Sequence, residues 1–121
     1  MLVELAGQVF AVERYASLTE AARTTLERLN YRNTKVVTGD GSLGFPEAAP
    51  YDAIIVSAAA PRIPPTLVEQ LTMGGRLIVP VGESDQQVVQ LVQRNADGTT
   101  SIRTLEGCRF VPLIGQQGFA A

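Results

Sequence analysis

Histidine is absent from the 121-residue chain, and cysteine occurs once, as Cys108. Without histidine the chain cannot form serine–histidine or cysteine–histidine nucleophile pairs, or histidine-ligated metal sites. A single cysteine also excludes an intramolecular disulfide framework and a cysteine metal cluster, which fits a reducing cytoplasm. We interpret Cys108 as a small packing residue, because no base can be named to activate it. If the chain is an enzyme, its chemistry needs none of these devices.

Basic residues are too few and too scattered to indicate a nucleic-acid partner or an anionic membrane surface. Lys and Arg total 10 against 12 Asp and Glu, for a net charge of −2. No apolar run approaches the ~20 residues that a membrane helix needs. The start, Met1 to Val12, contains Glu4 and lacks a basic leader, so we expect no signal peptide. The length and a hydrophobic content of 45% predict one globular domain, residues 1–121.

Short apolar runs alternate with helical patterns along most of the chain. The apolar runs predict strands at 8–12 (QVFAV), 34–38 (TKVVT), 53–56 (AIIV) and 76–81 (RLIVPV). Ser17 is predicted to open a helix, and its apolar face would comprise Leu18, Ala21, Ala22, Leu26 and Leu29. Pro65 suits the first turn of a second helix, which Gly74-Gly75 would end. This order predicts an α/β fold with a parallel sheet.

The last third of the chain has a different pattern. Gln86 to Arg94 and Thr99 to Leu105 flank Asn95-Ala96-Asp97-Gly98, which is a hairpin turn signal. The segment 109–113 (RFVPL) is interpreted as a last short strand or extended segment. We therefore predict an antiparallel hairpin added to the edge of the parallel sheet.

Two acidic residues stand where predicted strands end. Glu13 follows the first strand, and a carboxylate there offers two acceptor oxygens to the ribose hydroxyls of a nucleotide. Asp40 follows the second strand, where its carboxylate could accept a hydrogen bond from an exocyclic amine such as that of adenine. It lies in GDGSLG (39–44), which matches G-x-G-x-x-G, but prolines follow instead of a helix, so we reject a pyrophosphate role. By itself, each acid is also explained by a solvated strand end or a surface turn.

A run of small residues, Ser57 to Ala60, follows the third predicted strand and is closed by Pro61. Small side chains leave room for something to approach the backbone, and ligands of open α/β sheets bind past the carboxyl ends of strands. We expect this loop to face a site. A plain buried strand followed by a plain loop is the alternative interpretation.

Five segments occur in a specific order: VFAVER (9–14), GDGSLGFP (39–46), YDAIIVSAAAPRIPP (51–65), GGRLIVPVG (74–82) and RFVPL (109–113). Together they resemble the protein-L-isoaspartate O-methyltransferases, a branch of the S-adenosylmethionine-dependent Rossmann-like methyltransferases. The resemblance covers nearly the whole chain. It implies an α/β fold with a partial Rossmann-like methyltransferase sheet, mostly parallel with an antiparallel carboxyl-terminal hairpin and with its first strand missing.

The resemblance also implies a reaction, which is methyl transfer from S-adenosylmethionine to the free carboxylate of isoaspartyl residues in damaged proteins. Glu13 would hold the ribose hydroxyls with Arg14 beside it, while Asp40 and Gly41 would frame the adenine. The substrate loop would comprise Ser57, Ala58, Ala59 and Pro61. Because the substrate carboxylate is already ionised near neutral pH, alignment and exclusion of water suffice. We therefore predict no acid–base catalytic residue and no metal.

Two parts of the family pattern have no counterpart in this sequence. Family members carry an amino-terminal region with a serine-containing substrate segment, followed by the first strand and a glycine-rich loop for the methionine part of the cofactor. The missing strand would lie in mid-sheet, between the strands ending at Val12 and Val56. We thus expect a truncated methyltransferase domain whose exposed strand edges make it marginally stable or self-associating.

Three functions are left open by the sequence. The first is an isoaspartate methyltransferase located in the cytoplasm, acting on isoaspartyl-containing proteins or peptides. The second is a non-catalytic adenosyl-binding or assembly remnant of the same fold. The third is a nicotinamide-dependent oxidoreductase, which could also use Glu13, but its glycine motif would stand in the wrong place.

Overall fold

A computed structural model of the chain describes residues 8–13, 16–29, 34–83, 86–108 and 112–119. The chain divides into two compact units, Met1–Gly41 and Ser42–Ala121. Each unit contains a sheet of its own among the described residues. This division does not test whether residues 1–121 form a single domain, which stays a prediction.

The first unit is a β–α–β element. Strands β1 (Val9–Glu13) and β2 (Thr34–Thr38) pair in parallel, with Val9 opposite Thr34 and Glu13 opposite Thr38. Helix α1 (Ala16–Arg28) lies between them in the sequence and belongs to the crossover that parallel strands require. Both strands and the helix begin within one residue of the positions that the sequence pattern predicts.

Helix α1 is attached to β2 by polar side chains. The Thr38 hydroxyl donates a hydrogen bond to Thr19 Oγ1 at 2.9 Å, and Thr19 is only 1% exposed. Arg23 donates from Nε and Nη2 to the Val36 carbonyl oxygen, at 3.1 and 2.7 Å, and forms an ion pair with Glu20 at 2.7 Å. Because residues four apart lie on one face of a helix, Thr19 and Arg23 together define the face of α1 that meets β2.

The predicted apolar face of α1 is wrong at three of its five residues. Leu18 is 53% exposed, Leu29 is 56% exposed and Ala21 is exposed as well, whereas Ala22 and Leu26 are half-buried. The hydrogen bonds of Thr19 and Arg23 turn the helix by about one residue relative to the predicted face, which moves Leu18 toward solvent.

The second unit is built on a four-stranded sheet in the order β3–β4–β5–β6. Its strands are β3 (Tyr51–Ile55), β4 (Leu71–Glu83), β5 (Gln86–Arg94) and β6 (Thr100–Cys108). β3 pairs in parallel with β4, and the β4–β5 and β5–β6 ladders are antiparallel. Helix α2 (Pro65–Glu69) lies between β3 and β4, and two 3-10 helices, Gly41–Leu43 and Pro46–Ala48, precede β3. Parallel strands followed by an antiparallel hairpin confirm the predicted α/β fold class.

One face of this sheet carries the hydrophobic core of the second unit. Leu77 and Val79 of β4 and Val92 of β5 are fully buried, together with Leu67 of α2 and Leu71 at the start of β4. Successive side chains of a strand point to opposite faces, so the alternation of Leu77 and Val79 places both of them toward α2. The apolar run in the fourth predicted strand therefore anchors the core.

The opposite face of the same sheet carries exposed apolar side chains. Ile55 is the ladder partner of Ile78, and Ile78 is in turn the partner of Leu91. Ile55 is 54% exposed, Ile78 is 37% exposed and Leu91 is half-buried. We refer to these three side chains as the apolar row.

The structure corrects the predicted end of the second helix. Helix α2 ends at Glu69 instead of at Gly74-Gly75, and β4 begins at Leu71 instead of at Arg76. The β3–β4 ladder shifts register between Tyr51 and Ala53, so the glycine pair lies in a bulge of β4. Gly74 has a φ of +84°, and a Cβ on Gly75 would lie 3.0 Å from the Tyr51 carbonyl oxygen. The two glycines therefore permit the bulge and do not end a helix.

The carboxyl-terminal hairpin is confirmed. The Asn95 N–H donates to the Thr99 carbonyl oxygen at 2.8 Å, and Gly98 takes a φ of +87° in the turn. In the predicted segment 109–113, residues 109–111 lie outside the described part of the chain, and Pro112 forms an isolated parallel bridge with Ala59.

No helix among the described residues is both long enough and apolar enough to cross a membrane.

Candidate functional site

The carboxyl ends of β1 and β2 meet at one edge of the first unit's sheet. Glu13 is the last residue of β1 and is the ladder partner of Thr38, the last residue of β2. Asp40 follows two residues after Thr38 and is half-buried. The parallel register therefore brings the backbone positions of the two predicted adenosine-binding acids to adjacent strand ends. Arg14, the predicted neighbour of Glu13, lies outside the described residues.

The glycine-rich segment after β2 does not open an α-helix. Gly41 begins the short 3-10 helix Gly41–Leu43, and no α-helix begins between Gly39 and Pro50. A Cβ on Gly39 would make only ordinary contact, 3.5 Å from Val12 Cγ1. A helix N-terminus suited to a pyrophosphate is thus absent from this fully described stretch, in keeping with the interpretation of GDGSLG as a loop.

The run of small residues after β3, predicted to be a loop that faces a site, is partly strand-like in the structure. Ala59 bridges Pro112 and Ala60 bridges Val81, both in parallel. The Leu113 N–H donates to the Ala59 carbonyl oxygen at 2.7 Å, and the Ala60 carbonyl oxygen accepts from Gly82 at 3.0 Å. Small side chains at 59 and 60 therefore permit close approach of other segments of the same chain.

The four predicted substrate-loop residues differ in exposure as a result. Ser57 is exposed, and Ala58 and Pro61 are half-buried. Ala59 has no exposed surface, so its side chain supports the loop from inside. These residues belong to the second unit, whereas Glu13, Asp40 and Gly41 belong to the first.

A buried amide that the sequence did not single out holds the loop before β3. Gln70, immediately after α2, is 7% exposed. Its Nε2 donates to the Leu43 carbonyl oxygen at 2.9 Å, and its Oε1 accepts from the Phe45 N–H at 3.1 Å. A polar residue between Glu69 and Leu71 gives no local signal of this role, because both partners lie 25 or more positions away.

A second glutamine joins the carboxyl-terminal turn to the same region. The Gln117 N–H donates to Ser42 Oγ at 3.1 Å. Its side-chain Oε1 accepts from the Thr66 N–H at 3.2 Å, and Nε2 donates to Thr66 Oγ1 at 2.5 Å. Pro64 and Pro65 have no N–H, so Thr66 carries the first free donor of α2, and Gln117 satisfies it.

Tyr51 closes the loop on its other side. Its hydroxyl donates to the Phe45 carbonyl oxygen. Burial raises the pKa of Tyr51 above its ordinary value of 10.0, and the nearby charge of Glu47 raises it further. The Tyr51 hydroxyl therefore stays protonated at neutral pH, where it acts as a hydrogen-bond donor and does not serve as a general base.

Comparison with known proteins bears on the family of the chain. The family model for protein-L-isoaspartate(D-aspartate) O-methyltransferase (PCMT) matches residues 1–118. A protein-L-isoaspartate O-methyltransferase of Koribacter versatilis is 48% identical over 120 residues, covering 99% of this chain and 54% of the relative. That of Trichlorobacter lovleyi is 47% identical over 119 residues, covering 98% of this chain and 55% of the relative.

Solved structures give the same result. A protein-L-isoaspartate O-methyltransferase matches 92% of this chain with a TM-score of 0.82 and 34% identity, and the match covers 35% of that protein. A beta-aspartate methyltransferase (PCMT) from Plasmodium falciparum, in complex with S-adenosyl-L-homocysteine, matches 88% of the chain with a TM-score of 0.75 and 27% identity, covering 52% of that protein. The chain spans about half the length of the curated relatives it matches. On the family model and these relatives, the chain belongs to the protein-L-isoaspartate(D-aspartate) O-methyltransferase family.

Proposed function

We propose that the chain contributes to protein repair as a protein-L-isoaspartate(D-aspartate) O-methyltransferase. The reaction is methyl transfer from S-adenosylmethionine to the free carboxylate of isoaspartyl residues in damaged proteins. The observation that carries the proposal is the parallel pairing of Glu13 with Thr38, which brings the strand ends of Glu13 and Asp40 to one sheet edge. Family membership over residues 1–118 supplies the reaction class.

The first unit would hold the adenosine part of the cofactor. Glu13 would accept hydrogen bonds from the ribose hydroxyls, because a carboxylate has two acceptor oxygens and no competing donor. Asp40 would accept from the exocyclic amine of adenine, and Gly41 would allow the base to approach the backbone. Arg14 would lie at the adenosine edge. The residue types and their spacing fit S-adenosylmethionine.

S-Adenosylmethionine supplies a methyl group on a positively charged sulfur, which an ionised carboxylate can take up without a metal or a general base. The chain's own task is to orient the two reactants and keep water away. Ser57, Ala58, Ala59 and Pro61 would border the substrate side. Ser57 is exposed and so is available to a ligand, while Ala59 holds the loop in place from below.

Isoaspartyl-containing proteins or peptides in the cytoplasm are the proposed partners. A net charge of −2 without a basic cluster supports neither a nucleic-acid nor an anionic membrane partner. Self-association is also proposed. It is supported by the apolar row, in which Ile55 is 54% exposed, and by β6, whose outer edge has no ladder partner among the described strands.

The assay that tests the proposal measures transfer of a labelled methyl group to an isoaspartyl peptide. The same peptide with a normal aspartyl residue is the control, and only the isoaspartyl form is expected to be methylated. Binding of S-adenosylhomocysteine without methyl transfer would instead support a non-catalytic adenosyl-binding remnant of the same fold. Binding of NADH in place of S-adenosylhomocysteine would contradict both and favour an oxidoreductase.

A further inference from the structure

The segment Ser42–Phe45 is held by groups from distant parts of the chain. Gln70 bonds to Leu43 and Phe45 through its side-chain amide, at 2.9 and 3.1 Å. Gln117 bonds to Ser42 through its backbone N–H at 3.1 Å. These partners lie 27, 25 and 75 positions away in sequence. Three of the segment's residues are therefore held, within the second unit, by hydrogen bonds from residues distant in sequence.

The fourth residue of the segment completes the fit. Gly44 has a φ of +66°, and a Cβ placed on it would lie 2.2 Å from Gln70 Oε1 and 2.9 Å from Leu67 Cδ2. Only glycine accommodates both the left-handed backbone and the close approach of the Gln70 amide. The amide and Gly44 thus fit each other closely.

The Gln117 side chain is itself fixed at both ends of its amide. It accepts from the Thr66 N–H and donates to the Thr66 hydroxyl, at 3.2 and 2.5 Å. With the side chain anchored on α2, the Gln117 N–H presents a fixed donor to Ser42, which has no exposed surface.

We infer that Gln70 and Gln117 are positioning residues for the binding of the adenosyl group. Their hydrogen bonds fix the segment Ser42–Phe45. Gly41 belongs to the same 3-10 helix as Ser42 and Leu43, so its backbone is restrained as well. The backbone of Gly41 is the part of the chain that adenine is proposed to approach. The inference rests on the proposed function. Neither glutamine is placed against the cofactor; each would act by lowering the conformational entropy that the loop loses when the ligand binds.

The test compares two substitutions at the same position. Gln117→Met keeps the length of the side chain and loses both hydrogen bonds to Thr66. Gln117→Glu keeps both, because the Thr66 hydroxyl can donate to the second carboxylate oxygen. Gln93→Met, at an exposed glutamine of β5, is the matched control.

Two measurements are made on each variant of the 121-residue chain. Calorimetric titration with S-adenosylhomocysteine is expected to give a dissociation constant at least fivefold higher for Gln117→Met and near the original value for Gln117→Glu and Gln93→Met. Hydrogen exchange is expected to be faster in residues 42–45 of Gln117→Met alone. The rescue by glutamate separates positioning from a loss of general stability.

Equal affinity of Gln117→Met and the unmodified chain would overturn the inference and leave the proposed function standing. Unchanged exchange in residues 42–45 would overturn it as well. If the unmodified chain does not bind S-adenosylhomocysteine, the proposed function falls and the inference falls with it.

Discussion

Gly44 shows how a single residue can be required for two physical reasons at once. Its φ of +66° is a backbone conformation that L side chains rarely adopt, and the Gln70 amide occupies the place that a Cβ would take. Gly98 has a similar φ of +87° in the hairpin turn, but nothing lies within 4 Å of its Cβ position. A comparison of Gly44 with Gly98 therefore distinguishes the cost of backbone strain from the cost of steric overlap.

Gly44→Ala is expected to lower the free energy of unfolding more than Gly98→Ala. Left-handed strain alone costs about 1–2 kcal/mol at either position, and overpacking adds about 1–3 kcal/mol at Gly44. Urea unfolding of the two variants measures the difference directly. Equal losses would mean that the Gln70 amide can move aside without cost.

The two glutamines should respond in opposite ways to replacement by glutamate. In Gln70→Glu the new carboxylate would face the Leu43 carbonyl oxygen in a buried site, so its pKa is expected to rise. In Gln117→Glu the carboxylate would accept from the Thr66 N–H and hydroxyl, so its pKa is expected to fall. Two titratable residues bond to the backbone around Gln70: the Tyr51 N–H donates to the Gln70 carbonyl oxygen at 2.7 Å, and Arg94 donates to the carbonyl oxygens of Glu69 and Leu71 at 3.1 and 2.8 Å.

The sign of the pH dependence follows from these shifts. Gln70→Glu should be most stable at low pH and lose stability as the pH rises above ~4.3, the ordinary glutamate value. Gln117→Glu should be most stable above that value and lose stability as the pH falls. The thermal unfolding midpoint of each variant is measured between pH 4 and pH 8, and the midpoint of the unmodified chain at the same pH is subtracted. The slope of this difference against pH gives the sign for each variant. Slopes of the same sign would contradict the assigned hydrogen bonds.

At the level of elements, the carboxyl-terminal hairpin depends on its turn. The Asp97 carboxylate accepts from the Thr99 hydroxyl at 2.6 Å and from the Thr99 N–H at 3.0 Å. The hydroxyl bond and then the backbone bond lower the pKa of Asp97 below its ordinary value of 3.8. Strand β6 (Thr100–Cys108) begins at the residue after Thr99, so the Asp97 hydrogen bonds fix the chain where it enters this strand.

Acidification is expected to weaken this hairpin. Because the pKa of Asp97 is lower in the folded state, its ionised carboxylate stabilises the fold at pH values above the ordinary pKa. This stabilisation is lost as the pH falls through the folded-state pKa. An NMR titration of the Asp97 carboxyl is expected to give a pKa below 3.8. Asp97→Asn retains an acceptor oxygen for Thr99 and should abolish this part of the pH dependence. A pKa at or above the ordinary value would show that the turn hydrogen bonds do not form in solution.

Elements whose signal is local were predictable from the sequence, and those shaped by distant contacts were not. β1, β2 and the β5–β6 hairpin follow apolar runs and turn residues within a few positions. The prediction at Gly74-Gly75 was wrong, since a glycine pair is compatible with a helix end and with a strand bulge. The pairing of β4 with the distant strand β3 on both sides of the glycines, at Leu71 and at Arg76, makes them a bulge. The same limit applies to the site. Strand ends indicated Glu13 and Asp40, but the partners of Gln70 and Gln117 are visible only in the folded chain.

At the scale of the whole molecule, the second unit exposes apolar side chains on the sheet face opposite its core. Ile55 and Ile78 are ladder partners on the sheet face opposite the core, with exposed fractions of 54% and 37%. Ile102 of β6 is 59% exposed, but it is aligned through Val92 and Leu77 with the core face. Apolar side chains that are exposed side by side favour association.

The double variant Ile55→Thr and Ile78→Thr is expected to reduce self-association. Threonine keeps the β-branched shape that suits a strand and makes the row more polar. Sedimentation velocity over a range of protein concentrations measures the association, and Ile102→Thr is the control at an equally exposed isoleucine of the other face. A chain that stays monomeric and melts sharply at every concentration would contradict this expectation.

The most direct test of the proposed adenosine site is a titration with S-adenosylhomocysteine. The unmodified chain, Glu13→Gln, Asp40→Asn and the control Glu27→Gln, an exposed acid of α1, are compared under identical conditions. Loss of a charged acceptor is expected to weaken binding about tenfold or more for each of the first two variants, ~1.4 kcal/mol or more. The control should bind as the unmodified chain does. Full affinity in Glu13→Gln and Asp40→Asn would show that the paired strand ends of β1 and β2 do not hold the adenosine.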